Sequence, residues 1–112
     1  MGRLTTHVLD TALGKPGEGI EVDVWRVDGD RQRIAGAVTN TDGRCDAPLL
    51  EGDAFVPGQY ELVFQTGTYL KDHGEDAFLE EVVIRFRVNA PDEHYHVPLL
   101  LSPYGYTTYR GS

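Results

Sequence analysis

The sequence predicts an all-β protein, a two-sheet antiparallel β-sandwich of about eight strands with one short helix. Apolar side chains recur at every second position in several short runs, which is typical of strands with one buried and one solvent-facing side. Turn-forming residues separate these runs at short intervals, as they do in β-sandwiches. The chain of 112 residues suits one domain and is too short for two, so we expect a single domain spanning residues 1–112.

Seven runs of residues are predicted to be strands. The first run places Leu4, Thr6 and Val8 on one face and Thr5 and His7 on the other. Because side chains alternate between the two faces of a strand, one face of each run is expected to join the core. The predicted strands cover residues 4–9, 20–24, 33–41, 59–65, 82–88, 95–101 and 104–109.

Loops and one helix candidate lie between the predicted strands. Residues 14–19 hold three glycines and a proline, and Asp-Gly pairs at 28–29 and 42–43 mark turns. Residues 68–78 are the only helix candidate. Since Gly74 interrupts this segment and its apolar spacing is poor, we expect one or two short turns of helix there.

The composition restricts the classes of partner and the location. A formal charge of −8 argues against nonspecific nucleic-acid binding, which needs clustered Lys and Arg. We see no secretory signal and no stretch long enough to cross a membrane, so we expect a cytoplasmic protein that handles a small molecule. Cys45, the single cysteine, has no partner in the chain for a disulfide, and we expect it to be structural rather than a nucleophile.

Several common catalytic motifs are missing from the sequence. There is no Cys-x-x-Cys pair, no His-Glu-x-x-His, no Walker lysine and no Gly-x-Ser-x-Gly. Asp28-Gly29-Asp30 lacks the rest of a calcium loop and is interpreted as a turn. Ser102 and Ser112 are the only serines, which makes a buried serine triad a poor candidate.

Three histidines are candidates for catalysis or metal binding. His94 and His96 are two residues apart and share a face if their segment is extended, while His7 lies in the first predicted strand. A His-x-His pair with a third histidine can bind zinc, although solvated or hydrogen-bonded histidines are the commoner case. Neutral imidazole is also the natural general base near pH 7, with an ordinary pKa of about 6.5.

Arg44 and the carboxyl-terminal segment are further candidates. Arg44 follows a tight turn, a place where most arginines simply face solvent. If it is aimed into a pocket, its planar guanidinium suits polarised carbonyls and anionic heterocycles. Tyr104, Tyr106 and Tyr109 crowd a segment of a kind that is usually frayed and polar. We therefore expect this segment to pack against its own sheet or a partner subunit.

Three spaced motifs resemble those of the transthyretin-related 5-hydroxyisourate hydrolases, and the resemblance covers the whole chain. The motif Leu-Thr-Thr-His-Val-Leu-Asp occupies residues 4–10, with Gly-Lys-Pro at 14–16, and Thr-Asp-Gly-Arg-Cys occupies 41–45. The third is Tyr-His-Val-Pro-Leu-Leu-Leu-Ser-Pro at 95–103, with Tyr-Thr-Thr-Tyr-Arg-Gly-Ser at 106–112. The final Tyr-Arg-Gly-Ser discriminates best, because transthyretin, the thyroid-hormone carrier with a similar fold, lacks it.

The resemblance implies a hydrolase without cofactor or metal that opens the ring of 5-hydroxyisourate during urate degradation. The implied product is 2-oxo-4-hydroxy-4-carboxy-5-ureidoimidazoline. The implied assembly is a homotetramer, a dimer of dimers with substrate sites at the dimer–dimer interface, and no nucleic acid or membrane is involved. The implied catalytic residues are His7, Arg44, His96 and Ser112, and the implied substrate-binding residues are His7, Arg44, Tyr109, Arg110 and Gly111.

Three alternatives remain open at this point. A transthyretin-like carrier would bind an aromatic ligand in the tetramer channel without catalysis. A zinc hydrolase would use His7, His94 and His96 as ligands. A purely structural β-sandwich would leave the histidines and the aromatic segment without a role.

Overall fold

The computed structural model describes residues 2–112 as two β-sheets packed face to face, with one α-helix. Met1, part of the predicted domain, lies outside the described residues. The helix is α1 (Thr66–Asp72). Within residues 2–112 the strands are β1 (Arg3–Asp10), β2 (Lys15–Pro16), β3 (Glu21–Arg26), β4 (Gln32–Val38), β5 (Leu50–Glu51), β6 (Gly58–Phe64), β7 (Val82–Val88), β8 (His94–Ser102) and β9 (Gly105–Thr108). The predicted sandwich is confirmed.

The two sheets bury the apolar faces that the alternation predicted. One sheet has the strand order β2-β1-β8-β9, with β5 also pairing with β1, and the other has the order β4-β3-β6-β7. Removal of this apolar surface from water stabilises the fold by about 25 cal/mol per Å². The core between the sheets includes Leu4, Val8, Val22, Val24, Leu62, Phe64, Val82, Val97 and Leu99.

Strands β1 and β8 form a parallel pair within an otherwise antiparallel sandwich. Their register places Arg3 opposite His94, Thr5 opposite His96 and His7 opposite Pro98. Alternation along a strand shows which of its side chains are buried but not the direction of the neighbouring strand, so the sequence did not predict this parallel pairing. This sheet combines strands from both ends of the chain, whereas the second sheet is built from residues 21–88.

The parallel register collects polar side chains on the outer face of the first sheet. Leu4, Thr6 and Val8 of β1 are buried, so the alternate residues of that strand point away from the core. Tyr95, Val97 and Leu99 of β8 are buried in the same way. The outer face therefore carries Arg3, Thr5, His7, His94 and His96.

Helix α1 starts two residues before the predicted segment and ends well before Phe78. Gly74 stops it, because this residue adopts a left-handed φ of 75°. The turn is closed by two hydrogen bonds, in which Gly74 N–H donates to the Lys71 carbonyl (3.1 Å) and Glu75 N–H donates to the Leu70 carbonyl (2.9 Å). No helix in residues 2–112 is long and apolar enough to cross a membrane.

Strands β7 and β9 are free sheet edges on the same flank of the sandwich. A groove of about 220 Å³ lies between them. Its lining is mainly apolar and aromatic and includes Ile84, Phe86, Tyr95, Val97 and Tyr109. Because an edge strand exposes unpaired backbone donors and acceptors, this flank is suited to pairing with another strand.

Candidate active site

A cavity of about 330 Å³ lies on the outer face of the sheet, over strands β1 and β8. The sheet forms the floor of the cavity. The loop after β4 contributes residues 44–48 to the wall, and the carboxyl-terminal segment closes one side through Ser112. The polar residues that line the cavity include Arg3, Thr5, Arg44, His94, His96 and Ser112. Arg44, His96 and Ser112, which the sequence predicted to be catalytic, are thus brought together.

A tight turn over residues 40–44 sets the position of Arg44. The Asn40 side-chain oxygen accepts hydrogen bonds from the N–H groups of Asp42 (2.9 Å) and Arg44 (3.2 Å). Gly43 adopts a φ of 76°, and its carbonyl accepts a hydrogen bond from Val8 N–H at 2.8 Å. A Cβ at Gly43 would collide with the Val8 carbonyl oxygen. The turn therefore packs directly on β1, and Arg44 forms a β-bridge with His7.

The side chains that line the cavity carry an excess of positive charge. Six of the ten Lys and Arg side chains form ion pairs within residues 2–112. Arg3 and Arg44 are among the four that do not, and both line the cavity. Asp46 is the one acidic side chain on the lining, and it accepts a hydrogen bond from Asn40 at 2.9 Å. In a chain with a net charge of −8, these unpaired guanidinium groups favour an anionic or polarised ligand.

His96 is held by contacts on two sides. Its Nδ1 lies 2.8 Å from the Thr5 hydroxyl oxygen, and its carbonyl accepts a hydrogen bond from Gly111 N–H at 2.7 Å. A Cβ at Gly111 would lie only 2.6 Å from His96 Cδ2, so a glycine is needed there for the segment to approach the ring. Partial burial, and then the Arg44 guanidinium, lower the pKa of His96 below 6.5.

His7 lies beside the cavity rather than on its wall. It occupies the same outer face of β1 as Thr5, next to Arg44. Partial burial, and then the Arg44 guanidinium, lower the pKa of His7, while a hydrogen bond with the Asp42 backbone acts in the opposite direction. Both imidazoles are therefore predominantly neutral at pH 7, as a general base must be.

The carboxyl-terminal segment divides between two places. Gly111 and Ser112 lie at the cavity, whereas Tyr109 and Arg110 line the groove between β7 and β9. The Arg110 guanidinium stacks on the Tyr95 ring at 4.0 Å from its centroid and pairs with Glu93 at 3.0 Å. The aromatic segment packs on its own sheet, as expected. The role of Tyr109 and Arg110 in substrate binding stays a prediction.

The geometry gives no support to the zinc alternative. Among residues 2–112, no three His, Cys, Asp or Glu side chains are grouped so that they could hold a metal ion. The ring nitrogens of His94 (Nε2) and His96 (Nδ1) both point to the Thr5 hydroxyl instead. The His-x-His pair thus shares a face, as predicted, but its partner is a hydroxyl group.

Sequence reasoning did not single out Arg3, Thr5 or residues 46–48 as site residues. Their position depends on the parallel register of β1 with β8 and on the path of the loop after β4, neither of which appears in the residue pattern. The one available signal was the spacing of two residues between Thr5 and His7, which puts both on one face of a strand. Cys45 also lines the cavity, and burial, followed by the Asp46 carboxylate, raises the pKa of its thiol. This favours the structural role expected for Cys45, because a nucleophile needs a thiolate.

Comparison with known proteins places the chain in a family. The model of the HIUase/Transthyretin family matches residues 4–111. The chain belongs to this family. Its relatives include a Pseudomonas aeruginosa protein named 5-hydroxyisourate hydrolase, 56% identical over 100% of this chain and 93% of the relative. A Rhizobium meliloti protein named 5-hydroxyisourate hydrolase 2 is 57% identical over 99% of this chain and 97% of the relative.

Three solved structures share the fold. An (S)-allantoin synthase matches with a TM-score of 0.93 and 42% identity, covering 99% of this chain and 44% of that chain. The Klebsiella pneumoniae 5-hydroxyisourate hydrolase matches with a TM-score of 0.88 and 34% identity over 100% of both chains. Sea bream transthyretin in complex with thyroxine matches with a TM-score of 0.90 and 31% identity, over 97% of this chain and 94% of that chain. Because an enzyme and a hormone-binding protein share this fold, the site must decide between them.

Proposed function

We propose that this chain hydrolyses 5-hydroxyisourate, opening its ring to give 2-oxo-4-hydroxy-4-carboxy-5-ureidoimidazoline. The observation that carries the proposal is the meeting of Arg44, His96 and Ser112 at one cavity, with His7 beside it. Relatives that are more than half identical to the chain are named for this activity. The two unpaired guanidinium groups suit an electron-poor, oxygen-rich heterocycle.

Water is the nucleophile in this reaction, and a histidine is its base. The water oxygen bonds to a ring carbonyl carbon while its proton passes to the Nε2 of His96, with His7 orienting the reactants. The carbon–nitrogen bond of the ring then breaks, and the departing nitrogen takes the proton back from His96. A positioned base of this kind contributes about 10²–10⁴ in rate.

Arg44 acts on the oxygen of the attacked carbonyl. Negative charge develops on that oxygen during the attack, and a fixed guanidinium stabilises the charge without reorganising. The turn over residues 40–44 holds this group beside His7. Partial burial, and then the charge of Arg44, lower the pKa of both histidines. Arg44 therefore stabilises the oxygen of the attacked carbonyl and also helps to keep the base neutral.

The carboxyl-terminal segment completes the site. Gly111 allows the backbone to approach the His96 ring, and this brings Ser112 to the cavity wall. We assign to Ser112 the orientation of the attacking water. Tyr109 and Arg110 stay assigned to substrate binding, an assignment that requires the second groove to face a bound substrate in the assembly.

The assembly we propose is a homotetramer built as a dimer of dimers. The free edges of β7 and β9 on one flank suit pairing with the same edges of a second copy. The cavity opens on the outer face of the sheet that contains β1 and β8, so two such dimers meeting through that face would enclose it. Closure would exclude bulk water, apart from the attacking molecule, and strengthen the electrostatic action of Arg44.

Ultraviolet absorbance of freshly generated 5-hydroxyisourate, made in place from urate, tests the function. We expect decay to accelerate in proportion to the protein added and to be insensitive to a chelator. His96→Gln should abolish most of the acceleration. His73→Gln, at the end of α1 and away from the cavity, is the matched control and should retain it.

The other outcomes are equally informative. Correctly assembled protein that leaves the spontaneous decay unchanged would refute the hydrolase and favour the carrier. Acceleration that a chelator abolishes and zinc restores would favour the metal enzyme.

A further inference from the structure

The Thr5 hydroxyl lies between two imidazole rings. Its oxygen is 2.7 Å from His94 Nε2 and 2.8 Å from His96 Nδ1, and the two ring centroids are 6.0 Å apart. The parallel register produces this arrangement, because it sets Thr5 opposite His96 and Arg3 opposite His94. The side chains of Thr5, His94 and His96 all line the cavity. None of the roles assigned above uses Thr5 or His94.

The proton count of this cluster limits its possible states. A threonine hydroxyl has one proton to donate, and a neutral imidazole has one N–H and one lone pair. When both rings are neutral, the hydroxyl can donate to one ring and accept from the other, or accept from both. Accepting from both would leave the hydroxyl proton without an acceptor among residues 2–112, where Thr5 Oγ1 contacts these two ring nitrogens. One ring therefore donates to Thr5 and the other accepts from it. The tautomers of His94 and His96 are therefore coupled through Thr5.

The two coupled states differ in what they leave at the cavity. In one, His96 Nδ1–H donates to Thr5, Thr5 donates to His94 Nε2, and His96 Nε2 keeps its lone pair. In the other, His94 Nε2–H donates to Thr5, Thr5 donates to His96 Nδ1, and His96 Nε2 carries the proton. No side chain in residues 2–112 hydrogen-bonds to His96 Nε2, so this is the ring nitrogen left for a bound molecule. Only the first state leaves His96 able to accept a proton there.

We propose that Thr5 is the positioning residue that makes His96 a base, accepting from its Nδ1–H and donating to His94 Nε2. The inference rests on the proposed function for its choice between the two states. The hydrogen bond at one ring nitrogen fixes the tautomer and the orientation of the other nitrogen. His94 has a supporting part, because it gives the Thr5 proton an acceptor and so turns the hydroxyl lone pair towards His96.

Thr5 also acts after the proton transfer. When His96 Nε2 takes the proton from water, the ring becomes an imidazolium and its Nδ1–H still donates to Thr5, now as a charge-assisted hydrogen bond. When the departing nitrogen recovers the proton, the ring returns to its starting tautomer. No proton needs to leave the cluster during the cycle.

Two substitutions at one position separate the hydroxyl from the shape of the side chain. Thr5→Val keeps the volume and removes the hydroxyl, and Thr5→Ser keeps the hydroxyl. We expect kcat to fall at least about tenfold in Thr5→Val with little change in KM, and to lie within about threefold of the parent in Thr5→Ser. Thr11→Val is the matched control, since the Thr11 hydroxyl donates to the Leu101 carbonyl outside the cavity. It should keep the parental kcat.

Ring ¹⁵N chemical shifts of the assembled protein give a readout that needs no substrate. At pH about 8, where these histidines are neutral, we expect protonated Nδ1 and bare Nε2 in both His94 and His96. In Thr5→Val the His96 signals should move towards a mixture of tautomers. A parental His96 with Nε2–H, or an unchanged kcat in Thr5→Val, would overturn the inference.

The two readouts also distinguish this inference from the proposed function. A protein that fails to accelerate the decay of 5-hydroxyisourate but shows the expected tautomers refutes the hydrolase while supporting the Thr5 arrangement. An active protein whose tautomers differ from those expected refutes the arrangement alone.

Discussion

Arg44 is placed by main-chain contacts rather than by an ion pair. Its N–H and carbonyl are both hydrogen-bonded to Asn40, and its guanidinium has no carboxylate partner in residues 2–112. A charged group that the fold leaves unpaired at a cavity is available to a ligand. The geometry of the guanidinium fork then matters as well as its charge.

Arg44→Lys keeps the positive charge and removes the planar fork. We expect kcat/KM for 5-hydroxyisourate to fall about ten- to a hundredfold, since removal of one donor that stabilises the charged transition state costs about 10²–10³ and the charge itself is kept here. The measurement is the initial rate of absorbance change over a range of substrate concentrations. Arg33→Lys, in the exposed pair with Asp23, is the control. An unchanged rate in Arg44→Lys would show that Arg44 is an ordinary solvent-facing arginine with no part in the reaction.

The pH dependence follows from the lowered pKa of His96. Burial, Arg44, His94 and His7 all act in this direction, so more than half of the His96 rings are neutral at pH 6.5. We therefore expect kcat/KM to fall on the acid side with a midpoint below pH 6.5. A pH profile corrected for spontaneous decay measures it. A midpoint above 6.5 would contradict the assignment of His96 as the base.

Individual site residues could be predicted only where a motif carried them. The motifs around His7, Arg44 and His96 singled out those three, and the structure sets them close together. Thr5 and Arg3 escaped because their neighbours belong to a strand about ninety residues away, and nothing in the local sequence specifies which strand lies alongside.

At the scale of elements, the turn over residues 40–44 joins the fold to the site. Gly43 combines a left-handed backbone with direct contact to the Val8 carbonyl. Gly14 has a similar φ of 68° but open space around its Cα. The two glycines thus separate the cost of backbone conformation from the cost of the contact.

Gly43→Ala should lose more stability than Gly14→Ala. An alanine in the left-handed region costs about 1–2 kcal/mol, and both variants bear this cost. Only Gly43→Ala must also push the turn off β1, which displaces Arg44 and lowers activity. Urea denaturation gives the free energy of unfolding, and the absorbance assay gives the activity. Equal losses of stability, with parental activity in both variants, would show that the contact has no influence.

The strands were the most predictable elements, because alternation with period two reports directly on a buried face. The β7 prediction matches its observed bounds, Val82–Val88. Helix α1 was displaced in the prediction because its buried residues, Thr66, Gly67, Tyr69 and Leu70, are too few and too irregular to give a helical period. Its stop at Gly74 was visible in the sequence.

At the scale of the whole molecule, the sandwich has one flank where both sheets end in an edge strand without a neighbour among residues 2–112. Strands β7 and β9 both end their sheets there, with an apolar groove between them. Unpaired edges of this kind tend to associate. A second copy related by a twofold axis would pair each edge with its own equivalent.

We expect the purified protein to be tetrameric at micromolar concentrations. Sedimentation velocity should give one species of about four times the 12.4 kDa of a single chain. A species that stays at the mass of one chain over this range would refute the assembly, and a stable dimer would restrict it to edge pairing.

The parallel pairing of β1 with β8 has a consequence for how the protein is made. The contact of Thr5 with His96 joins residues 91 positions apart, and closing so long a loop must precede any gain from the pairing. During synthesis, β1 emerges early and waits without its central neighbour until β8 has left the ribosome. The cavity floor therefore forms only after β8 has been translated, and a nascent chain that carries β1 alone has no site.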